Sequence, residues 1–175
     1  YTVSLAALSN LGCADTIRKI VTNAPMPKVD YSVNDPGQCF RIQNFIFTNK
    51  STLAIGTMSS KWYFGDLDTL TSRNATHTYK AIGAYNPKLI VTTDYGCKDS
   101  LSLNISVNPN AEASFKTNDT DQCINLQDYI FTNTSTVSPG QIKSLLWNLG
   151  NGRTSAQQQP KSYYPQSGWY TIILQ

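Results

Sequence analysis

"KWYFGDLDTLTSRNATHTYKAIGAY" (Lys61–Tyr85) and "LWNLGNGRTSAQQQPKSYYPQSGWY" (Leu146–Tyr170) decide the fold. Each has a Trp, then a Gly-Asp or Gly-Asn turn, then two Tyr at matching intervals, and the second copy lies 85 positions after the first. A fixed period of this size marks a repeated structural unit. The match extends outward on both sides. "QCFRIQNFIFTNKST" (Gln38–Thr52) returns as "QCINLQDYIFTNTST" (Gln122–Thr136), and "YTVSLAALSNLGCADTIRKIVTNAP" (Tyr1–Pro25) returns as "YNPKLIVTTDYGCKDSLSLNISVNP" (Tyr85–Pro109), both at an offset of 84. Tyr1, Tyr85 and Tyr170 are therefore one structural position met three times.

The period sets the expected boundaries. Residues 1–27 read as the last two strands of a preceding domain, 28–109 as a complete domain, and 110–175 as a further domain lacking its last strands. The opening stretch thus reads as the end of a domain, cut from a repeating array. The linkers "NAPMPK" (Asn23–Lys28) and "VNPNAE" (Val107–Glu112) are short, and their prolines stop the preceding strand. Apolar residues alternate at Val29, Tyr31 and Val33, at Phe45 and Phe47, at Trp62 and Phe64, and at Leu101, Leu103, Ile105 and Val107. Alternation at period two is the strand signature. About seven short strands per repeat with one Trp on a central strand predict an all-β, immunoglobulin-like sandwich. Trp62, Phe64, Tyr79, Tyr85, Trp147, Tyr164 and Tyr170 are the expected core.

The run "WYFGD", "HTY", "GAY", "LIVTTDYGCKDS" resembles the polycystic kidney disease (PKD) domain, whose pattern is Trp-x-Phe-Gly-Asp-Gly, His-x-Tyr, Gly-x-Tyr-x-Val. The "QC…FTNTS" and "GCxDS" elements resemble the subtype found in large surface proteins of gliding, type IX-secreting bacteria. The third repeat departs from the pattern, with Leu149 for Phe, Asn151 for Asp and Ser162 for His. The resemblance implies tandem sandwiches in a secreted protein at the bacterial cell surface. Asp15-Thr16-Ile17, Asp68-Thr69-Leu70 and Asp99-Ser100-Leu101 are similar to the O-glycosylation signal of such bacteria, which makes Thr16, Thr69 and Ser100 glycosylation candidates. The Asn-x-Ser/Thr sequons at Asn49, Asn74, Asn104, Asn118 and Asn133 read as chance in a Thr- and Asn-rich chain.

Composition narrows the function. The 175 residues are 40% hydrophobic but only 14% charged, against about 25% in an average domain. The net charge of +3 comes from scattered residues with no basic run, so no nucleic-acid partner is expected. No apolar stretch reaches the ~18 residues of a membrane helix, so no membrane insertion is expected. His77 is the only histidine, and its counterpart is Ser162, so a structural role is expected and no catalytic residue is named. Asp66 reads as a turn residue accepting backbone N–H bonds, a role Asn151 can also fill. Calcium at Asp66 with Asp68, at Asn34 with Asp35, or at Asn118, Asp119 and Asp121 is the less favoured alternative, and no other cofactor is expected. Trp169 replaces Ala84 on the outward phase and is the candidate surface contact.

Each full repeat owns one "QC" and one "GC" cysteine: Cys39 and Cys97, then Cys123, with Cys13 matching Cys97. Regular spacing in a secreted chain argues for disulfides. Cys39 with Cys97 is the obvious pair. In the sandwich, however, they belong to opposite ends of a strand of nine residues, roughly 30 Å, whereas a disulfide needs Cα atoms within about 7 Å. A cross-domain staple, "QC" of one repeat to "GC" of the next, is favoured, with Cys13 bonded to something earlier in the chain.

These observations lead to a non-catalytic repeat of a stiff stalk or filament for adhesion or display. Its expected partners are neighbouring repeats or identical chains, with surface polysaccharide or protein as ligands. One alternative is a carbohydrate- or protein-binding accessory module of a secreted hydrolase. Another is a filament subunit assembled by strand exchange, although the strand at Tyr1–Ala6 is already present at Tyr170–Gln175.

Overall fold

The computed structural model describes all 175 residues. The chain divides into two compact units: Tyr1–Gln38 with Asn44–Ser106, and Cys39–Gln43 with Val107–Gln175. Both are all-β sandwich units without an α-helix.

The first unit opens with a hairpin, β1 (Thr2–Leu8) and β2 (Ala14–Ile20), paired with each other over seven residues and with no other strand. All of its residues are exposed, including Leu5 and Ile17, which face each other across the ladder. Its turn shows why the sequence reads "GC". Ser9 and Cys13 close a three-residue loop, the Ser9 hydroxyl accepts the Cys13 N–H, and Gly12 sits at φ 84°. A side chain is strained at such a φ, and this loop type favours glycine there. Thr93, Gly96 (φ 82°) and Cys97 repeat the arrangement.

The rest of the unit holds β3 (Tyr31–Val33), β4 (Gly37–Cys39), β5 (Phe45–Asn49), β6 (Met58–Tyr63), β7 (Thr69–Thr71), β8 (Ala75–His77), β9 (Gly83–Tyr85), β10 (Lys88–Thr93), β11 (Lys98–Ser102) and β12 (Ile105–Asn108). The unit boundary runs through β4 and β12. The sheets are β11–β10–β6–β7, β3–β5–β8 and β4–β12–β9. Period two places Phe45 and Phe47 of β5 and Leu89 and Val91 of β10 fully inside. Trp62 of β6 closes the gap between layers, with its ring 5.0 Å from Tyr31 and 5.5 Å from Phe47. Its indole N–H, otherwise stranded in an apolar core, donates to the Ser72 carbonyl at 3.1 Å.

The second unit repeats part of this plan. Its strands are β13 (Phe115–Thr117), β14 (Tyr129–Asn133), β15 (Trp147–Asn148), β16 (Thr154–Ser155), β17 (Lys161–Ser162) and β18 (Ile173–Leu174). Sheet β13–β14–β17 corresponds to β3–β5–β8, and β16–β15–β18 to β7–β6–β10. Phe131, Trp147 and Leu149 form the core. The Trp147 N–H donates to the Gln157 carbonyl at 2.8 Å, the counterpart of the Trp62 bond.

The expected core residues Trp62, Phe64, Tyr79, Trp147 and Tyr164 are buried. Tyr85 and Tyr170 differ and are only half-buried. The Tyr85 ring stacks on Tyr79 at 3.9 Å and the Tyr170 ring lies tilted against Tyr164 at 4.2 Å, while their hydroxyls donate to the Ala81 and Gln166 carbonyls at the surface.

Candidate functional site

The turn after Trp62 gathers the most chemistry. Gly65 (φ 91°) turns the chain out of β6, and Asp66 Oδ1 accepts the Asp68 N–H at 3.3 Å. The other carboxylate oxygen meets His77 Nε2 at 2.7 Å. The His77 ring stacks on Phe64 at 4.1 Å, and its edge meets Tyr79 at 4.6 Å. The Tyr79 hydroxyl donates to the Phe64 carbonyl at 2.9 Å. Burial, with the Asp66 charge added, raises the Tyr79 hydroxyl well above its ordinary 10.0.

The second unit makes the same link with different groups. Asn151 Oδ1 accepts the Arg153 N–H, and its amide donates to Ser162 Oγ at 3.1 Å. The Tyr164 hydroxyl donates to the Leu149 carbonyl at 2.7 Å, and burial raises its pKa too. A carboxylate–imidazole pair in one unit and an amide–hydroxyl pair in the other tie the same turn to the same strand. The shared role is a clasp. Sequence reasoning weighs Asp66 and His77 separately and misses their contact. The paired change to Asn151 and Ser162 is the signal that joins them.

As chemistry the cluster is constrained. A His base needs one ring nitrogen toward its orienting acid and the other toward a nucleophile. Here Nε2 is held by Asp66 and one ring face is covered by Phe64. Asp66, Asp68 and His77 do place one ligand atom each within 4.8 Å of one another. A cation there would have to displace the Asp66–His77 bond. Asn34 is committed elsewhere: its Oδ1 accepts the Ile46 N–H and its amide donates to the Asn44 carbonyl. Asn118 does the same with Ile130 and Asp128. Asp35 and Asp119 accept N–H groups two residues on, from Gly37 and Asp121.

Leu67 is the one non-glycine residue at positive φ, 78°, and is 99% exposed. The second unit has Gly152 there, at φ 82°. At the core edge, the Tyr31 hydroxyl donates to the Pro87 carbonyl and accepts the Leu103 N–H, and burial pushes its pKa up to about 12. Nothing in the strand periodicity foretells that bridge.

Residues 26–108 match the family model of the PKD domain. The match covers just under half of the chain and coincides with the first unit's sandwich. The pre-pro-metalloprotease PrtV of Vibrio cholerae is 45% identical over 42 residues, which is 24% of this chain and 5% of that protein. The chain therefore spans about a twentieth of the length of the curated relatives it matches. The PKD1 domain of Vibrio anguillarum Epp is 20% identical with a TM-score of 0.44, covering 50% of this chain and all of that one. The PKD1 domain of Vibrio cholerae PrtV is 28% identical with a TM-score of 0.39, covering 49% and 98%.

All four cysteines are free thiols, Cys97 half-buried and Cys13, Cys39 and Cys123 exposed. Neither Cys39–Cys97 nor any other disulfide forms within the chain. The glycosylation candidates Thr16, Thr69 and Ser100 are exposed residues. The amides of Asn49 and Asn133, two of the sequon residues, are tied to Ser60 and Gln158. Trp169 is 99% exposed at the mouth of an open groove of about 520 Å³ in the second unit. No helix is long and apolar enough to cross a membrane.

Proposed function

We propose that this chain is a non-catalytic structural repeat of a large secreted protein at the bacterial cell surface, one of a row of PKD-type sandwiches forming a stiff stalk or filament for adhesion or display. The observation that carries this reading is the framework made twice on diverged sequence. Trp indole to carbonyl, Tyr hydroxyl to carbonyl and turn to strand recur at the same repeat positions. Such bonds hold a shape. In this reading the cysteines staple successive repeats, and glycans on Thr16, Thr69 and Ser100 shield the row. Type IX secretion would export it.

The intact mass of the native protein tests the proposal. A protein of many repeats with paired cysteines is expected, and a native protein no longer than this chain refutes it. The match to the metalloprotease PrtV favours a second reading, an accessory module beside a secreted hydrolase. A native protein carrying a protease domain would decide for it.

A further inference from the structure

We propose that the polar cleft between β5, β6 and β7 of the first unit is a binding site for an acidic sugar, a uronate residue of a polysaccharide. The sugar's carboxylate pairs with Arg73, and its ring hydroxyls meet the side chains of Asn49, Ser60 and Thr71. The inference does not rest on the stalk reading, because it concerns one cleft inside one unit.

The cleft starts from a serine at an inward strand position. On β6 the side chains of Ser60 and Trp62 share a face by period two, and Trp62 is fully buried. The counterpart of Ser60 in the second unit is Leu145, an apolar side chain only 8% exposed. Beside Ser60 the first unit instead holds a cleft of about 360 Å³, lined by Asn49, Ser51, Met58–Ser60 and Thr71–Arg73. Ligand pockets begin at roughly 300 Å³, so there is room for a small guest. The lining carries hydroxyls, one amide and one guanidinium, and no carboxylate.

The fold does not use up these polar groups. Asn49 is 8% exposed; its Oδ1 accepts the Ser51 N–H, and its Nδ2 donates to Ser60 Oγ at 2.8 Å. An amide nitrogen carries two N–H groups, so one is left over, and so is the Ser60 hydroxyl proton. The Thr71 hydroxyl and the Arg73 guanidinium have no hydrogen bond or ion pair within the chain. The second unit ties off the same amide: Asn133 donates to Gln158 Oε1 at 2.8 Å, and Gln158 is the counterpart of Arg73. Ala156 there replaces Thr71. An arginine offers no acceptor, so in the first unit Asn49 and Arg73 both bring donors to one space. A guest must therefore bring acceptors and negative charge. The guanidinium fork matches a carboxylate. The neighbouring hydroxyls both donate and accept, which suits the ring of a sugar; an acidic peptide would draw its affinity from main-chain pairing instead.

The test is titration of trigalacturonate into the 175-residue chain, followed by calorimetry and by backbone amide signals. Saturable one-to-one binding is expected, with shifts centred on the residues of the cleft. The neutral galactose trimer should bind at least about tenfold more weakly, because it lacks the charged acceptor. Arg73→Gln, which installs the second unit's residue at an exposed position, should weaken trigalacturonate by at least about tenfold and leave the melting temperature nearly unchanged. Ser60→Leu, again the second unit's residue, should abolish binding by filling the cleft. No saturable binding, equal binding of the neutral trimer, or unchanged binding by Arg73→Gln would overturn the proposal. Acetate binding as tightly as the trimer would overturn the sugar contacts. Tighter binding of a triglutamate peptide would overturn the choice of a sugar and assign the cleft to an acidic peptide.

Discussion

Tyr79→Phe isolates one bond of the clasp. The ring stays, so its stacking on Tyr85 and its edge contacts with Phe45 and His77 are kept. The 2.9 Å donation to the Phe64 carbonyl is lost, at a side chain 3% exposed. A buried acceptor that loses its donor costs about 1–3 kcal/mol. In a unit of this size that corresponds to a fall in melting temperature of roughly 4–8 °C per kcal/mol. Tyr85→Phe is the control: its hydroxyl also donates to a carbonyl, at 3.0 Å, but from a half-buried ring where water replaces it, so less than about 0.5 kcal/mol is expected. The pH dependence adds a second signature. The folded Tyr79 pKa lies above the unfolded value of 10.0, so the unfolded chain releases this proton first as pH rises. The stability that depends on keeping it is intact below pH 10 and is lost above it. The advantage of wild type over Tyr79→Phe should therefore shrink by about 1 kcal/mol at about pH 11. Urea unfolding read from amide signals of the first unit measures both quantities. Equal costs for the two variants, or an advantage constant from neutral pH to about pH 11, would refute the reasoning.

Other substitutions address the turns and the clasp. Gly150→Ala should destabilise the second unit by about 2–5 kcal/mol, because its Cβ would lie 2.6 Å from the Thr171 carbonyl oxygen at φ 72°. Gly152→Ala, with open space around it, should cost only about 1–2 kcal/mol, and denaturant midpoints separate the two. Leu67→Gly should stabilise the first unit by about 0.5–1 kcal/mol, since relief of the left-handed backbone outweighs the added chain entropy and no burial is lost. A double-mutant cycle of Asp66→Ala with His77→Ala should give a coupling of about 0.5–3 kcal/mol; additive costs would dissolve the clasp.

Much of the fold is legible in the sequence because it is written twice. Aligning the two copies locates the Trp and Tyr positions, and the two Trp bonds and two Tyr bonds fall on matching residues. Alternation names Phe45, Phe47, Leu89 and Val91 as inward, since a strand with one buried face must alternate. Tyr85 and Tyr170 escape because an aromatic at a strand phase looks the same whether its hydroxyl ends in the core or at the rim. The Asp66–His77 contact escapes because a separation of 11 residues carries no local signal of pairing.

One pair of exchanges between the copies bears on folding fidelity. Tyr31 and Phe45 in the first unit become Phe115 and Tyr129 in the second, so the hydroxyl moves from the first strand of the sheet to its neighbour. The hydroxyls then serve different partners: Tyr31 bridges the Pro87 carbonyl and the Leu103 N–H, while Tyr129 accepts the Gln122 N–H. Neighbouring repeats that look alike are prone to trade strands as they emerge and fold. A trade at this sheet would place two hydroxyls in one core and none in the other, leaving one Tyr without its acceptor and the other core without its bridge. The exchange therefore penalises such a trade, because each hydroxyl is matched to partners in its own unit.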